Sequence, residues 1–484
     1  MPRYLFFILL SISTIFSITN RHSCLDHNHE YRSRPERDAF ILSPSGYFYI
    51  HYNVQGFNAP NLDDFYGINS NIPNGVPDYI DEVALAADKS KDMIINQLGF
   101  LDVVEDDDMI YDIYIKNYSA GVYGYNIPDL NIPGASYIEI DNAYEENMYL
   151  TSGLNTMRLT VAHEFFHAVQ RSYRNNLSFG EGYFWEMSST WIEDIIVPDG
   201  NDYIYWVDNF FENINQNISS TDGYSIALFG HYLNNIIAEG NPEIIKKIWE
   251  RYATGVNPLS AIKYVLETDY NTSFEFCWAD FCARNYFNSV YQNMDNNIYY
   301  HIDQKDITPI QALDLSLSNP LTISSDLLID NQLLSNQGSF NDSYFSDNLS
   351  KITFEIISSS NTVNIEGFAS ILSSNNNSLN RVVNIQNDNN HIYVGPEDIF
   401  YYSLSSNQNC IINGNIYFTN DVEIVPGDAN LDNEINILDV ILMIDLILND
   451  SLSQIQFENI DINTDNSINI FDIILIIENI LNQN

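Results

Sequence analysis

The spacing of apolar residues predicts helices and strands in the first half of the chain. After Pro77, apolar residues recur at helical spacing until Gly99, so the pattern predicts a helix over residues 77–98. Apolar and polar residues instead alternate over residues 111–115 and 137–140, which is typical of strands. These strands come just before a further helical segment, so we expect a small sheet whose edge lies beside that helix.

The chain changes character after residue 304. Short alternating runs separated by Asn, Ser and Asp turns predict a β-sandwich over residues 305–422; the runs are 351–357, 391–394 and 400–404. Residues 424–484 form a separate module built on an internal repeat. The predicted fold class is therefore multidomain α+β, with a mixed domain at 25–304, an all-β sandwich at 305–422 and a small α-helical module at 424–484.

The N-terminus has the pattern of an export signal. Arg3 is followed by an apolar stretch over residues 4–18 and then by polar residues, which predicts a signal peptide at 1–22. An uncleaved membrane anchor is the alternative. No later segment reaches about 18 uninterrupted apolar residues, so no stable membrane span is expected. The predicted localisation is secreted, with attachment to the cell surface left open.

Charge excludes one class of function. The chain has 19 basic and 65 acidic residues, a formal net charge of -46. A nucleic-acid-binding protein needs the opposite sign, so no nucleic-acid partner is expected. Solubility explains such a charge, and Ca²⁺ binding by some of the carboxylates is a second explanation.

Cysteine is rare in this chain. The four cysteines, Cys24, Cys277, Cys282 and Cys410, include no Cys-x-x-Cys pair, which argues against a thiolate metal site and a disulfide scaffold. One or two disulfides could form after export, but the pairing cannot be read from the sequence.

A His-Glu-x-x-His motif supplies candidate metal chemistry. On a helix, His163 and His167 lie at i and i+4 on one face, so both can reach one zinc ion. Glu164 is expected to act as general base, because zinc lowers the pKa of bound water to about 7 and a carboxylate can then take its proton. A chance match on a buried helix is the alternative reading of the three residues.

A third ligand is found by counting downstream. The metzincin pattern requires Gly and His where this chain has Gln170 and Tyr173, whereas Glu186 stands eighteen residues after His167. His-Glu-x-x-His, eighteen residues and Glu resembles the gluzincin superfamily of zinc metallopeptidases, and its aminopeptidase branch in spacing. The resemblance implies a zincin-like fold for residues 25–304 and one catalytic zinc held by His163, His167 and Glu186.

The same resemblance suggests further site residues. The segment 224–233 is similar to the gluzincin helix that brings a Tyr to the scissile carbonyl, which implies that Tyr224 stabilises the oxyanion, with His231 or Tyr232 as substitutes. Core packing in a tyrosine-rich chain is the alternative. Glu193 and Asp194 could orient a ligand histidine, but solvated helix charges are the preferred interpretation.

The substrate is expected to be a protein or peptide cut internally. Aminopeptidases of this superfamily carry a Gly-Ala-Met-Glu-Asn strand whose Glu holds the free amino group, whereas residues 134–138 here contain no Glu. Residues 74–79 and 121–125 are also similar to secreted bacterial proteins classed as metalloproteases without further characterisation. An endopeptidase is therefore favoured over an aminopeptidase.

The C-terminal repeat has the spacing of calcium loops. Residues 428–439 and 461–472 align one to one, with oxygen-bearing side chains at loop positions 1, 3, 5, 9 and 12. Asn433 and Asn466 at position 6, with Asp at position 12, resemble the type I dockerin repeat. By that resemblance two structural Ca²⁺ ions are held by Asp428, Asn430, Asp432, Glu434, Asn436 and Asp439, and by Asp461, Asn463, Asp465, Ser467, Asn469 and Asp472, with Glu434 and Ser467 contributing backbone carbonyls. A loop pair without ions is the alternative.

A dockerin-like module implies docking onto a cohesin domain of another protein. Dockerins commonly carry hydroxyl side chains at loop positions 10 and 11, where this chain has Ile437, Leu438, Ile470 and Phe471. The partner surface is therefore expected to be more apolar. A divergent cohesin and a purely structural calcium module both stay open.

Together these patterns predict a secreted zinc metalloendopeptidase with a calcium-binding docking tail. The alternatives are a non-catalytic extracellular assembly protein with a degenerate peptidase fold, and an aminopeptidase. Retention of Glu164 argues against the degenerate fold, since a degenerate enzyme commonly loses its base first.

Overall fold

A computed structural model describes most of the chain from residue 33 onward. The described residues are 33–60, 74–118, 121–146, 149–289, 300–310, 321–322, 327–334, 339–345, 350–358, 362–372, 381–385, 391–394, 399–420, 425–429, 435–449, 459–465 and 467–482. The predicted signal at 1–22, Cys24 and the calcium-ligand candidates Asn430, Asp432 and Glu434 lie outside these ranges.

The first of two units contains a mixed five-stranded sheet. This unit comprises the described residues up to Asn175 together with Ile192–Asp202. Its strands are β1 (Ala39–Leu42), β2 (Phe48–Tyr52), β3 (Tyr111–Lys116), β4 (Gly124–Pro128) and β5 (Ser136–Asp141). They lie in the order β1-β2-β3-β5-β4, and β2, β3 and β5 are parallel. The antiparallel strand β4 is therefore an edge strand, and it pairs with β5 alone among the described strands.

Two helices pack against this sheet. Helix α1 (Asp78–Lys91) continues into a π-helical turn, Asp92–Gln97, so the helix predicted over residues 77–98 is present with an irregular end. Helix α2 (Gly153–Tyr173) contacts β4 and β5. The strands predicted at 111–115 and 137–140 are confirmed as β3 and β5. Both are almost fully buried, since helices cover one face and aromatic side chains cover much of the other.

The second unit begins with helices. It comprises Asn176–Trp191 and the described residues from Tyr203 onward. The helices are α3 (Gly182–Ile196, whose last residues belong to the first unit), α4 (Ile204–Phe211), α5 (Ala227–Tyr232), α6 (Glu243–Tyr252), α7 (Pro258–Asp269) and α8 (Phe274–Arg284). All five tryptophans of the chain lie in this stretch of sequence and are buried. They supply much of the aromatic packing between these helices.

A β-sandwich follows the helices in the same unit. Its strands are β6 (Leu321–Thr322), β7 (Leu327–Leu334), β8 (Ser339–Phe345), β9 (Ser350–Ser358), β10 (Ile365–Leu372), β11 (Arg381–Asn384), β12 (His391–Val394), β13 (Ile399–Ser406) and β14 (Cys410–Asn420). They form two sheets, β11-β10-β13-β8-β6 and β12-β9-β14-β7, whose apolar side chains share one core. The predicted strands at 351–357, 391–394 and 400–404 are confirmed as β9, β12 and β13.

The sandwich packs directly on helix α8. The Phe276 ring meets Phe368 of β10 edge-to-face with 5.0 Å between centroids, and Ala279 and Ala283 lie in the same cluster. The Ser370 hydroxyl donates a 2.7 Å hydrogen bond to the carbonyl of Ala283. The sequence predicts a boundary at 304/305 but gives no sign of this shared packing, so the sandwich is less separate from the helices than its sequence suggests.

The C-terminal module consists of two equivalent helices. Helix α9 (Ile437–Asn449) and helix α10 (Ile470–Asn482) stand 33 residues apart in sequence, as the repeat predicts. They pack through a small core of Ala429, Val440, Met443, Ile460, Ile473 and Ile476. The module thus has its own core, and both helices begin within the predicted calcium loops.

Two expectations concern cysteines and membranes. The three described cysteines, Cys277, Cys282 and Cys410, are buried free thiols, so they form no disulfide with one another. Burial raises the pKa of the Cys277 thiol to about 12, which keeps that side chain protonated. No helix in the described part of the chain is long and apolar enough to span a membrane.

The contact between α8 and the sandwich predicts that the two unfold together. Replacing the buried Phe368 by Ala removes its packing on Phe276 and should cost about 3 kcal/mol. Because every tryptophan lies in the helical stretch, tryptophan fluorescence during urea unfolding reports on the helices. We expect Phe368→Ala to lower the midpoint of the fluorescence transition. The control Leu333→Ala, at an exposed residue of the sandwich, should leave the midpoint unchanged. An unchanged midpoint in Phe368→Ala would show that the sandwich unfolds independently.

Candidate metal centre

The metal-ligand candidates lie on a buried stretch of α2. Residues 159–170 of this helix contain no Gly or Pro, and they are buried on nearly every side, since the helix lies under the sheet. His163, Glu164 and His167 are each 0% exposed. Burying three such polar side chains is costly unless each finds a partner, so their surroundings decide what they can do.

The two histidines lie together as the motif predicts. Their ring centroids are 4.6 Å apart, as expected for i and i+4 on a helix. His163 donates from Nδ1 to the carboxylate of Glu193 at 2.5 Å, and His167 donates from Nδ1 to the side-chain oxygen of Gln170 at 2.7 Å. Because both acceptors require a proton on Nδ1, the Nε2 atom of each ring carries the lone pair that a metal needs.

Glu193 orients His163, which corrects the preferred sequence interpretation. The sequence favours a solvated helix charge at Glu193, but this residue is only 2% exposed and contacts His163. A carboxylate on the far nitrogen of a ligand histidine fixes the ring and makes it more basic. Asp194 is also buried, with 9% of its surface exposed, so the interpretation as a solvated helix charge is wrong for this residue as well.

Helix α3 brings Glu186 to the same centre. Glu186 and Glu193 are seven residues apart on this helix, which places them two turns apart on one face. One ligand atom from each of His163, His167 and Glu186 lies within 4.8 Å of those of the other two. Glu186 is 2% exposed. The three ligands predicted from the sequence therefore converge, and two nitrogens and a carboxylate oxygen form a donor set that suits zinc.

Glu164 is a buried carboxylate without a hydrogen-bond partner in the described part of the chain. This holds for both of its side-chain oxygens. A charged group in this state is strongly unfavourable, unless a cation or a water molecule that belongs to the site compensates it. Edge strand β4 approaches closely here, because a Cβ atom at Gly124 would lie 2.8 Å from Thr160 Cγ2 and 3.3 Å from Glu164 Cγ. Gly124 therefore lets the strand pass directly beside Glu164.

A second glycine brings the Tyr224 segment against Glu186. Gly223 has φ 90°, and a Cβ atom there would lie 2.6 Å from Cβ of Glu186 and 2.6 Å from the carbonyl oxygen of Tyr183. Only glycine fits that approach. Tyr224 follows it directly, is 3% exposed and packs against Trp206 with 5.9 Å between ring centroids. Tyr224, the predicted oxyanion donor, is therefore the residue next to a glycine that packs against the candidate ligand Glu186.

His231 lies in an aromatic cluster. Its ring is 5.5 Å from that of Tyr203 and 6.1 Å from that of His301, while Tyr203 donates a 2.9 Å hydrogen bond to Asp303. Burial lowers the pKa of His231 to about 4 and that of His301 well below its ordinary value, so both imidazoles are neutral. This packing resembles a structural core more than a catalytic position, and it favours Tyr224 over His231 as the oxyanion donor. Tyr232, the other substitute suggested by the sequence, donates its hydroxyl to the Asp280 carboxylate at 2.8 Å.

Three residues of the centre were missed by sequence reasoning. Gln170 supports His167, and Gly124 and Gly223 permit the close approaches at Glu164 and Glu186. The position of Gln170, three residues after a ligand on the same helix, was a usable signal. The two glycines had no such signal, because their contacts join segments far apart in sequence.

The calcium loops of the C-terminal module are partly described. Four aspartates of the loops are buried beside a small apolar core, where a carboxylate is unfavourable without a partner: Asp428, Asp439, Asp461 and Asp472. The two loops have matching contacts: the backbone N–H of Asn436 donates to Asp439 and that of Asn469 to Asp472, at 2.8 and 3.0 Å. Asn463, Asp465 and Ser467 are more exposed members of the second predicted set. Buried loop aspartates at equivalent positions agree with ion binding at both loops.

Comparison with known proteins supports part of this assignment. The model of the dockerin type I domain matches residues 426–481, so this segment is a dockerin type I domain and the predicted module is confirmed. A family of unknown function, DUF6055, matches residues 79–314, which include all residues of the candidate metal centre. No curated protein and no solved structure matches the chain.

Loss of the Glu193 carboxylate should weaken metal binding. Glu193→Gln keeps the shape of the side chain but removes the charge that supports His163, and such substitutions typically cost about 10–100-fold in metal affinity. Competition with a zinc-chelating dye measures this, with the surface variant Glu243→Gln as control. Equal affinity in Glu193→Gln and the unsubstituted protein would contradict the assigned role.

The buried histidines should make the protein sensitive to acid. The folded pKa of His231, about 4, is below its ordinary value of 6.5, so the unfolded chain binds more protons between these values. The stability that His231 contributes is therefore lost as the pH falls from about 6.5 to about 4, by up to about 3 kcal/mol. We expect the free energy of unfolding of His231→Asn to vary less with pH in this range. Parallel pH profiles for variant and unsubstituted protein would contradict this.

Proposed function

We propose that this chain is a secreted zinc-dependent endopeptidase that is attached to a partner through its dockerin. One observation carries the proposal: ligand atoms of His163, His167 and Glu186 converge, and Glu164, the residue after His163 on the same helix, has a buried carboxylate. This combination would supply three metal ligands and, from the same helix as two of them, a base. It also explains why so many ionisable groups are buried together.

The residues fit zinc more closely than they fit other common ions. Zinc takes imidazole nitrogen and carboxylate oxygen at tetrahedral sites, and catalytic sites keep a fourth position open. Calcium and magnesium prefer all-oxygen sites, so the two histidines argue against them. Hydrogen bonds at Nδ1 of both rings are typical support for zinc ligands. When bound, zinc would act as a Lewis acid toward the substrate carbonyl and would make water a stronger acid.

Glu164 is the proposed proton carrier. Its carboxylate takes a proton from the attacking water as the carbon–oxygen bond forms. It then gives that proton to the amide nitrogen as the carbon–nitrogen bond breaks, so the products are a carboxylic acid and an amine. A carboxylate with no competing hydrogen bond in the described part of the chain is well suited to this exchange.

Tyr224 is the proposed donor to the developing oxyanion. Its hydroxyl would stabilise negative charge on the former carbonyl oxygen. Support comes from Gly223, whose contact with Glu186 holds the start of this segment beside the ligand helix. His231, a neutral ring packed in an aromatic cluster, is the weaker candidate.

Internal cleavage of a peptide is favoured over removal of N-terminal residues. The stretch 134–138, whose last three residues begin β5, contains no acidic side chain that could hold a free amino group. A non-catalytic assembly protein is the second candidate. It would have no need for a buried base beside the metal ligands, so the state of Glu164 counts against it.

The dockerin sets where this enzyme would act. Dockerin domains bind Ca²⁺, they dock onto cohesins, and proteins that carry them are typically extracellular or cell-surface components. The signal pattern at residues 1–22 agrees with export. We therefore propose that a cohesin of another protein holds this peptidase in an extracellular assembly.

Replacing Glu164 by Gln tests the base directly. The substitution keeps the size of the side chain and leaves the three ligands in place, so zinc should still bind at about one ion per chain. Hydrolysis of a casein-type substrate should fall by roughly 10²–10⁴-fold, since the proton carrier is lost. Chelation should abolish activity in the unsubstituted protein, and added zinc should restore it.

The same assay separates the alternatives. Zinc bound without hydrolysis by the unsubstituted protein would favour the assembly protein. Hydrolysis confined to peptides with a free N-terminus, and absent for blocked ones, would show an aminopeptidase. Full activity of Glu164→Gln would contradict the proposed mechanism.

A further inference from the structure

The dockerin helices expose apolar side chains that serve no internal core. On α9 the exposed fractions are 60% for Ile437, 56% for Leu438, 57% for Ile441 and 43% for Ile444. These positions follow helical spacing along one side of the helix. The core of the module uses other positions, Val440 and Met443. We call this row of exposed apolar residues the α9 strip.

An equivalent row runs along α10. At the positions 33 residues later, Ile470 is 59% exposed, Phe471 65%, Ile474 44% and Ile477 38%. We call this row the α10 strip. An exposed apolar residue by itself needs no explanation, but apolar rows repeated at equivalent positions do. Their recurrence on both helices indicates a contact surface rather than an accident of composition.

The charges of the module indicate what kind of partner fits. Residues 425–484 contain no lysine, arginine or histidine, whereas acidic residues are frequent among them. On α10, Glu478 is exposed next to Ile477 of the strip. The complementary surface is therefore an apolar patch with basic side chains around it, since like charges at an interface rim are unfavourable.

The same charges argue against a second copy of this chain as the occupant. The whole chain carries a formal net charge of -46, with 19 basic residues among 484. Two copies of the module would bring acidic rims together with no basic residue of either module to pair with them. A separate, more basic protein is the better match.

We infer that the strips dock onto a cohesin whose contact face is apolar and ringed by Lys or Arg. The inference rests on the proposed docking function and specifies its chemistry. The hydroxyl side chains common at loop position 11 of dockerins are replaced here by Leu438 and Phe471, whose apolar surface would be buried on binding. Because salt screens charges but does not weaken the burial of apolar area, most of the affinity should survive at high ionic strength, and only the contribution of the rim should weaken.

A matched pair of cohesins tests this. The probes are one recombinant type I cohesin with a polar contact face, and the same domain with that face changed to Leu, Ile and Val and its rim to Lys. Binding of the full chain to each is measured by calorimetry with Ca²⁺, at about 0.1 M and about 1 M NaCl. We expect the apolar cohesin to bind at least tenfold more tightly than the polar one, at both salt concentrations.

Variants of the chain identify the surface. Leu438→Ser combined with Phe471→Ser changes one exposed residue of each strip and should weaken binding to the apolar cohesin by more than tenfold. Leu333→Ser, at a sandwich residue that is 69% exposed, is the matched control and should leave binding unchanged. Calcium titration of the double variant checks that the module still folds.

Each other outcome contradicts part of the account. Equal binding to both cohesins, or full binding by the double variant, would overturn the apolar inference but leave docking intact. Binding to neither cohesin would overturn the inference and the docking function together, without bearing on the peptidase. Self-association that the double variant abolishes would show that a second copy is the occupant, which also contradicts the inference.

Discussion

The centre of this protein depends on one electrostatic constraint: carboxylates buried at the junction of two helices require positive charge. The side chains of Glu164, Glu186 and Glu193 are each at most 2% exposed. His163 and His167 on the same helices are fully buried. The hydrogen bond from His163 satisfies Glu193, but nothing in the described part of the chain does the same for Glu164. A divalent cation held by the two imidazoles and Glu186, as proposed, would reduce this cost, because it would supply positive charge among these buried groups.

The rest of the fold can be understood as support for that junction. Helix α2 packs against the sheet, and α3 carries both the candidate ligand Glu186 and Glu193, which orients the candidate ligand His163. Two glycines let β4 and the Tyr224 segment approach to van der Waals distance. Further along the chain, α8 and the sandwich share packing, so the β domain contributes to the stability of the helices rather than being carried as a separate module.

The sequence predicts the parts of this arrangement that depend on local spacing. The i, i+4 histidines, the strands β3 and β5 and the 33-residue repeat each follow from a period along the chain, and the structure or the dockerin match bears them out. Glu186 is in a different class, because its position came from a resemblance in spacing and not from any local pattern. Its convergence with the histidines is therefore the more informative result.

Features that join distant segments could not be predicted in this way. The sequence favours a solvated charge at Glu193, since helical position alone does not reveal which face is buried. Gly124, Gly223 and the contact of Phe368 with Phe276 depend on which elements become neighbours in space. His231 resembled an active-site residue in sequence, yet its ring packs with Tyr203 and His301, because a buried imidazole can also serve as packing.

The most direct test of the account is zinc K-edge X-ray absorption on the purified full chain after loading with one equivalent of zinc. The account predicts a four-coordinate site with two imidazole nitrogens and a carboxylate oxygen at about 2.0–2.2 Å and no sulfur ligand. In Glu186→Gln the same spectrum should lose the carboxylate contribution. Absence of bound zinc, or a spectrum identical in the Glu186→Gln protein, would contradict the claim that these residues form a zinc centre.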